Sequence, residues 1–501
     1  MSSMKRLVDL IDRGVLDDQF SPISTDSTIF QRTWPHYHNT VSETKELSYL
    51  GNATWGQRIT VLLNRFNIKA DFLQWLCVRI KPLTWVPGDV YSKLFSGSWG
   101  YYKPEQAWMW ASSLGSIAIK QVEFEIGDTT IETIPGEYLD IWSRQWLDGG
   151  RAGIWDLDIY GQLGINQIRN TANAPWTTLQ PTEDGYVYCW LPLVFLKRPT
   201  TPFPVVACGN KEIRVHITFR PFHEVIRMRA TPRSSPTETP LGQTITFADL
   251  TGPLPIPHDV PIQTAAPAFE DATIYAGVAH IEDPLRSQYI RDPFEMIYEP
   301  VKYMTFDVPD SVASAGNPFV MQLRCTDFAG PIREICWVLR RKFVWDYNEW
   351  TNYGSLLEDD LADSKISAGS STVVYQQPIM TRAVVMVDNA IWSDEAEDQY
   401  RADYGMEHRG GARVANGMVY GYTFGAGDPE ALQPAGTVNA SRATIRLDLT
   451  IQPPSIPAFF TPTTSTCSLG SSQGWVVHVF GIGLNWMRFV NGQVGPLFSQ
   501  I

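Results

Sequence analysis

Apolar and polar residues alternate with a period of two along much of this chain, the pattern of strands with one buried face. The stretch EIRVHITFR is the cleanest case. Ile213, Val215, Ile217 and Phe219 fall on one side, and Arg214, His216, Thr218 and Arg220 on the other. A half-buried strand is expected there, its second face solvated or at an interface. VEFEIGDTTIETI, from Val122, predicts a hairpin with its turn at Gly127-Asp128. Two longer apolar runs are YVYCWLPLVFL from Tyr186 and GWVVHVFGIGLNWM from Gly474. Both fall short of the roughly 20 apolar residues that cross a bilayer, and both read as buried strands. Helical spacing shows near the N-terminus, where Leu7, Leu10, Ile11 and Val15 share a face and Gly14 is a break. This predicts a short amphipathic arm that packs on its own domain or on a partner.

The alternating segments repeat. IRVHITF at Ile213 returns as IRLDLTI at Ile445, and the VY at Val187 returns at Val419; both pairs stand 232 residues apart. Upstream, VEFEIGD at Val122 resembles VVMVDN at Val384. Each is followed by a turn and a helix-like stretch, GEYLDIWSRQW and SDEAEDQYRADY. The third spacing is larger, so the first copy carries a longer insertion before its apolar strand. Three elements in the same order, two of them at one spacing, point to a duplicated β domain. Two β-sandwich domains of roughly 200–250 residues each fit the length. The connections are long. Pro-rich segments run between Thr231 and Pro267, and a polar, acidic segment follows Tyr347. Loops of that kind are commonly functional or displayed at the surface.

Composition narrows the function classes. At 501 residues the chain exceeds the usual size of one core, and 44% hydrophobic with 19% charged residues is globular composition. A formal charge of -13 repels phosphate backbones, and the longest basic run is only Arg340, Arg341 and Lys342, so direct nucleic-acid binding is not expected. The six cysteines, Cys77, Cys189, Cys208, Cys325, Cys336 and Cys467, are widely spaced with no CxxC pair. Buried free thiols in a reducing compartment are expected. The start, MSSMKRLVDLIDRG, is too charged for a signal peptide, and no segment suits membrane insertion. A soluble protein made in the cytoplasm is the expectation.

Candidate chemistry is sparse. GAG at Gly425 matches no phosphate-binding fingerprint. His36 and His38 flank Tyr37 and would share one strand face, yet no second cluster completes a metal shell. Acidic groups at Glu358, Asp359 and Asp360, and at Asp394, Glu395, Glu397 and Asp398, sit in a polar loop and a helix-like stretch. Solvated faces explain them better than the paired carboxylates of a glycosidase. GxSxG is absent, and Cys189 lies in an apolar strand where a thiol is inert. Asn52 and Asn439 head glycosylation sequons, and Asn439 reads as a turn residue. No catalytic residue, metal or cofactor is expected.

One segment carries a longer pattern. Tyr422 to Arg442, YTFGAGDPEALQPAGTVNASR, resembles the hallmark segment of major capsid proteins of nucleocytoplasmic large DNA viruses. The matching positions are Tyr422, Phe424, Pro429, Gln433, Pro434, Gly436, Thr437, Asn439, Ser441 and Arg442. The chain departs from the pattern at Thr423, Gly425, Ala435 and Ala440, and has one extra residue before Pro429. The N-terminal arm is similar to that family through Leu7, Leu10, Gly14 and Asp17. The segment TIFQRTWPHYHNTVSE resembles its first strand through Thr28, Phe30, Trp34, Tyr37, Asn39 and Glu43. FEMIYEP resembles its inter-domain segment through Glu295, Ile297 and Glu299.

The resemblance implies an all-β chain of two consecutive eight-stranded antiparallel jelly rolls with long loops and a few short helices. It implies an arm at 1–25, a first roll at 26–283 with a Pro-rich insertion at about 228–268, and a second roll at 284–501. Its function would be structural. Homotrimers would form pseudo-hexagonal capsomers that abut neighbouring capsomers in an icosahedral virion shell assembled in the host cytoplasm. Loops Pro82–Trp110 and Phe343–Val373 would build the outer tower and trimer contacts, and the arm would meet minor capsid proteins at the inner face. Tyr422–Arg442 would be an architectural corner. Phe424 would anchor its strand in the core, Pro429 and Pro434 would stiffen the loop, Gly436 would permit a tight turn, Asn439 would hydrogen-bond it, and Arg442 would pair across a loop or subunit contact. The alternative reading is a carbohydrate-active or carbohydrate-binding double sandwich.

Overall fold

Among the described residues, the segments with period-two alternation form strands. The computed structural model describes residues 39–82, 106–111, 113–146, 186–193, 202–209, 211–230, 253–254, 268–308, 318–342, 348–354, 378–400, 418–425, 436–452 and 475–497. The arm with Leu7, Leu10, Gly14 and Asp17 lies outside these residues, as do His36, His38, Cys467, Pro429, Gln433 and Pro434. So do Glu358, Asp359, Asp360, most of the Pro-rich insertion and most of the two expected tower loops.

Among the described residues, each half of the chain contributes eight principal strands. In the first they are β1 (Thr40–Leu47), β2 (Arg58–Leu62), β3 (Phe72–Pro82), β4 (Ile119–Ile126), β5 (Thr129–Pro135), β6 (Val187–Trp190), β7 (Ile213–Phe219) and β8 (Phe269–Ile281). In the second they are β9 (Val301–Val308), β10 (Phe319–Arg324), β11 (Pro331–Arg341), β12 (Met380–Val387), β13 (Ala390–Ala396), β14 (Val419–Thr423), β15 (Ile445–Ile451) and β16 (Trp475–Gly483). The first half forms sheets β1-β8-β3-β6 and β2-β7-β4-β5. The second forms β9-β16-β11-β14 and β10-β15-β12-β13, the same order with eight added to every label. All these pairings are antiparallel. First and last strands lie side by side in each half, which is jelly-roll connectivity.

The repeat is visible residue by residue. β7 and β15 have seven residues each and the same burial at every position. Ile213, Val215, Ile217 and Phe219 are at most 1% exposed, and Ile445, Leu447, Leu449 and Ile451 are fully buried. The β4–β5 hairpin turns at Gly127 with positive φ, as its Gly-Asp pair requires, and its counterpart β12–β13 turns at Asp388 and Asn389, both left-handed.

Two expectations are corrected. The VY pair at Val187 and Val419 lies in equivalent strands but one residue out of step. Val187 and Cys189 face the core in β6. In β14 it is Tyr420 that turns inward, stacked on Trp337, whose indole N–H donates to Met380 of the opposite sheet. A one-residue slip reverses every side chain of a strand, so an identical dipeptide points opposite ways. Second, SDEAEDQYRADY is not helical from its start. β13 continues to Ala396 because Arg382 on β12 forks across the strands onto Asp394, Nε to Oδ1 at 2.6 Å, and helix begins only at 397–400. In the first half the helix starts as expected: α1 (Gly136–Trp146) follows β5 directly.

A second helix, α2 (Asp283–Arg291), follows β8 and opens with Pro284 in its first turn, where no backbone donor is needed. It is fastened to the first sandwich by Arg286, whose guanidinium grips both oxygens of buried Asp71 at 2.8 Å. Burial pushes the Asp71 carboxyl up, and Arg286 with the Ile281 amide outweighs that and holds it below the usual range.

Candidate functional site

The described part of the Tyr422–Arg442 segment forms a corner clamped to the connection between β10 and β11. Val438-Asn439 pairs with Ile332 and Pro331 at the start of β11. The Ala440 amide donates to the Gly330 carbonyl at 2.8 Å, and the Gly330 amide donates to the Ser441 hydroxyl at 2.8 Å. Asn439 turns the chain: its Oδ1 accepts from the Ser441 amide at 3.1 Å, and its carbonyl accepts from the Arg442 and Ala443 amides. Gly436 takes a φ of +84°, and a Cβ there would lie 2.5 Å from the Gly425 Cα. Only glycine fits that close crossing of two backbone strands.

Phe424 lies past the end of β14, at the rim of the core rather than inside it. It is half-buried, edge-on to Tyr422 at 5.3 Å and to Trp392 at 5.8 Å. Its amide donates to the Arg333 carbonyl at 2.8 Å, continuing the ladder beyond the assigned strand. The Arg442 side chain is exposed and carries no ion pair among the described residues.

A second site was invisible in the sequence because its members are far apart in it. The two sandwiches meet along a seam where Glu137, the second residue of α1, accepts from Arg220 at 3.0 Å and from Arg340 of β11 at 3.1 Å. Arg220, 4% exposed, also reaches Glu224 at 3.3 Å. The Trp350 ring lies under both guanidiniums, 4.1 Å from Arg220 and 5.3 Å from Arg340. Its indole N–H donates to the Glu224 carbonyl at 2.7 Å. Burial pushes the Glu137 carboxyl up, and the two guanidiniums overcome it and hold the group well below the usual carboxylate range.

Around this charge cluster the seam is tight. Tyr138 packs on Phe480 with ring centroids 5.1 Å apart. Buried Glu132 of β5 accepts the Val301 amide at 2.8 Å, capping the first strand of the second sandwich. His478 of β16 is 4% exposed, and its Nδ1 lies 2.6 Å from the Tyr303 hydroxyl. Burial, together with the Arg340 charge, pulls His478 down to about 3, so the ring is neutral at physiological pH.

Thr60 Oγ1, His216 and Glu125 line up in the order of a nucleophilic relay, with both ring nitrogens 2.8 Å from their neighbours. They lie on β2, β7 and β4, three adjacent strands, with Thr60 directly opposite His216. Arg214 also holds Glu125, at 3.1 Å. This is a cross-strand polar ladder on a sheet face. Five cysteines, Cys77, Cys189, Cys208, Cys325 and Cys336, are free and buried. Burial pushes the Cys77 and Cys325 thiols up to about 12, where they are inert. Among the described residues no group of His, Cys, Asp and Glu could hold a metal ion.

Comparison with known proteins gives a consistent result. Residues 28–249 match a family described as major capsid protein N-terminus. The chain is 21% identical over 354 residues to a major capsid protein of Chrysochromulina ericina virus, an alignment covering 64% of this chain and 55% of that protein. It thus spans little more than half the length of that relative. Against the quasi-atomic PBCV-1 virus capsid structure the TM-score is 0.62 at 15% identity, covering 94% of this chain and 100% of the other. Against the Faustovirus major capsid protein it is 0.59 at 10% identity, covering 95% and 94%. What is shared at those identities is the fold.

Proposed function

We propose, from the premise that this chain belongs to the double jelly-roll major capsid proteins of large DNA viruses, that it is the repeating structural subunit of an icosahedral virion shell. Three copies make a pseudo-hexagonal capsomer, and capsomers abut to tile the facets. The observation that carries this reading is the strand order: both halves run through the same eight-step path. One chain therefore supplies two like sectors and three chains supply six, a closed ring with no exposed complementary ends.

The function lies in shape and contact rather than in reaction. In this reading the chain divides into an arm at 1–25, a first roll at 26–283 and a second at 284–501. The arm, through Leu7, Leu10, Gly14 and Asp17, meets minor capsid proteins at the inner face. The corner, with Phe424, Pro429, Gln433, Pro434, Gly436, Asn439 and Arg442, fixes the end of the second roll, and Arg442 faces a neighbouring copy. Assembly takes place in the host cytoplasm.

Negative-stain images of the purified protein test the reading. Particles with six lobes and three-fold symmetry are the expected result. Two-lobed single molecules at every concentration would overturn it.

A further inference from the structure

The seam holds a histidine at a position where the strand itself does not require one. His478 of β16 lies opposite Val338 of β11. The equivalent position of the first roll, opposite Arg79 of β3, is Thr273 of β8. Thr273 is hydrogen-bonded on its own sheet face, to Arg79 at 3.1 Å and to Asp271 at 3.4 Å. His478 is 4% exposed, and its Nδ1 is 2.6 Å from the hydroxyl of Tyr303, a residue that keeps 38% exposure. Its Nε2 is buried with no hydrogen-bond partner among the described residues. One ring nitrogen thus adjoins a partly exposed tyrosine, and the other is held inside the contact by packing alone.

Charged groups face this ring from the elements around it. Arg340 comes from β11 and Glu137 from α1, with Arg220 and Glu224 behind Glu137. Glu132 of β5 caps Val301 on the neighbouring strand β9. Glu137 already accepts from two guanidiniums. A proton on His478 adds a third positive charge to those two, buried and without a carboxylate of its own. Burial and Arg340 therefore keep the ring neutral while the seam is closed, and opening the seam to water removes that cost. The same charges carry a strap. Residues 348–354, which follow β11, are all buried. Asn348, with a left-handed φ of +56°, donates both amide hydrogens to the first roll, to the His223 carbonyl at 2.6 Å and the Ile226 carbonyl at 2.7 Å. Trp350 of the strap lies against both guanidiniums. The strap thus rests on the groups that a charged His478 repels.

We propose that the seam is an acid-operated latch: protonation of His478 parts the first roll from the second at α1 and at the strap, while each sandwich keeps its own core. The open arrangement gains about ten-fold in population per pH unit below about pH 6.5, where a solvated histidine takes up its proton. The latch lies within one chain. It goes beyond the capsid-subunit reading and does not depend on how many chains assemble.

The test is amide hydrogen exchange of the full-length chain, read by mass spectrometry between about pH 7 and 5 and corrected for the intrinsic exchange rate. Peptides covering the start of α1, the Val301 amide and residues 348–354 should lose protection about ten-fold per pH unit below about pH 6.5, reversibly, while β7 and β15 keep theirs. In His478→Asn the side chain can still accept from Tyr303 but takes up no proton, so seam protection should stay level over that range. The slope with pH is the readout, because a merely structural role would lower protection equally at every pH. The variant also retains His216 and His223, and so separates His478 from them. Seam peptides of the unaltered chain that lose no more protection than β7 and β15 would overturn the latch without recourse to any variant. A His478→Asn chain whose seam is as acid-sensitive as the parent's would overturn it too.

Discussion

Gly436 shows how much one residue decides. Its φ of +84° and the 2.5 Å that would separate a Cβ from the Gly425 Cα leave no room for a side chain. Gly436→Ala should cost about 1–3 kcal/mol, the range for strained backbone, read as a lower midpoint in thermal or urea unfolding. An unchanged midpoint would mean the corner does not hold the fold. Arg442 is the opposite case, conspicuous in the sequence and exposed in the fold. Arg442→Ala should leave single-chain stability within about 0.5 kcal/mol, as surface substitutions do. In the proposed function its effect belongs to assembly yield, and an unaltered yield would remove Arg442 from the proposed contact. The corner was legible in the sequence through the segment's resemblance to a family pattern, with Asn439 alone readable locally as a turn residue; the part played by Ser441 emerges only in the fold.

Strands were legible for a related reason. Alternation over β7 and β15 fixes both the element and its buried face, since the side-chain period of a strand is two. What alternation does not give is register between repeats. The VY pair of β6 and β14 shows the limit, where a one-step difference exchanges inside for outside. Nor does it show where a strand ends and a helix begins, as β13 illustrates: a cross-strand ion pair at Asp394 keeps an acidic, helix-like stretch extended. The seam was illegible altogether. Glu137, Arg220 and Arg340 belong to separate elements, and only the folded arrangement brings them together.

One consequence at this scale concerns β16. His478 is held near 3 in the folded chain, whereas an unfolded histidine titrates near about 6.5. The unfolded state therefore takes up a proton first as pH falls. Stability should decline from about pH 6.5 downward by up to roughly 1.4 kcal/mol per pH unit from this residue. His478→Asn should flatten that part of the profile in urea unfolding measured from pH 7 to 4. A variant as acid-sensitive as the parent would show that His478 does not set the slope. Glu137 has the complementary behaviour. Its contribution is complete above the unfolded carboxylate value of about 4.3 and is lost only as pH falls toward its depressed folded value.

At the scale of the whole molecule, the seam between the two rolls buries charge as well as apolar surface, and this is expected to couple their unfolding. Removing the central carboxylate takes the carboxylate partner from half-buried Arg340 and leaves buried Arg220 with Glu224 alone. Glu137→Gln should cost about 3–5 kcal/mol. In calorimetry it should split a single unfolding transition into two as the rolls lose their coupling. One sharp transition at the parental temperature would show that the aromatic packing of Tyr138 on Phe480 alone couples them.

The claim beneath all of this is that one sandwich, used twice, lets a trio of chains close as a hexagon. Light scattering coupled to size-exclusion chromatography measures it most directly. The account predicts one species of three times the 56.4-kDa chain mass, stable on dilution. A 56.4-kDa species that persists as the protein is concentrated would contradict it.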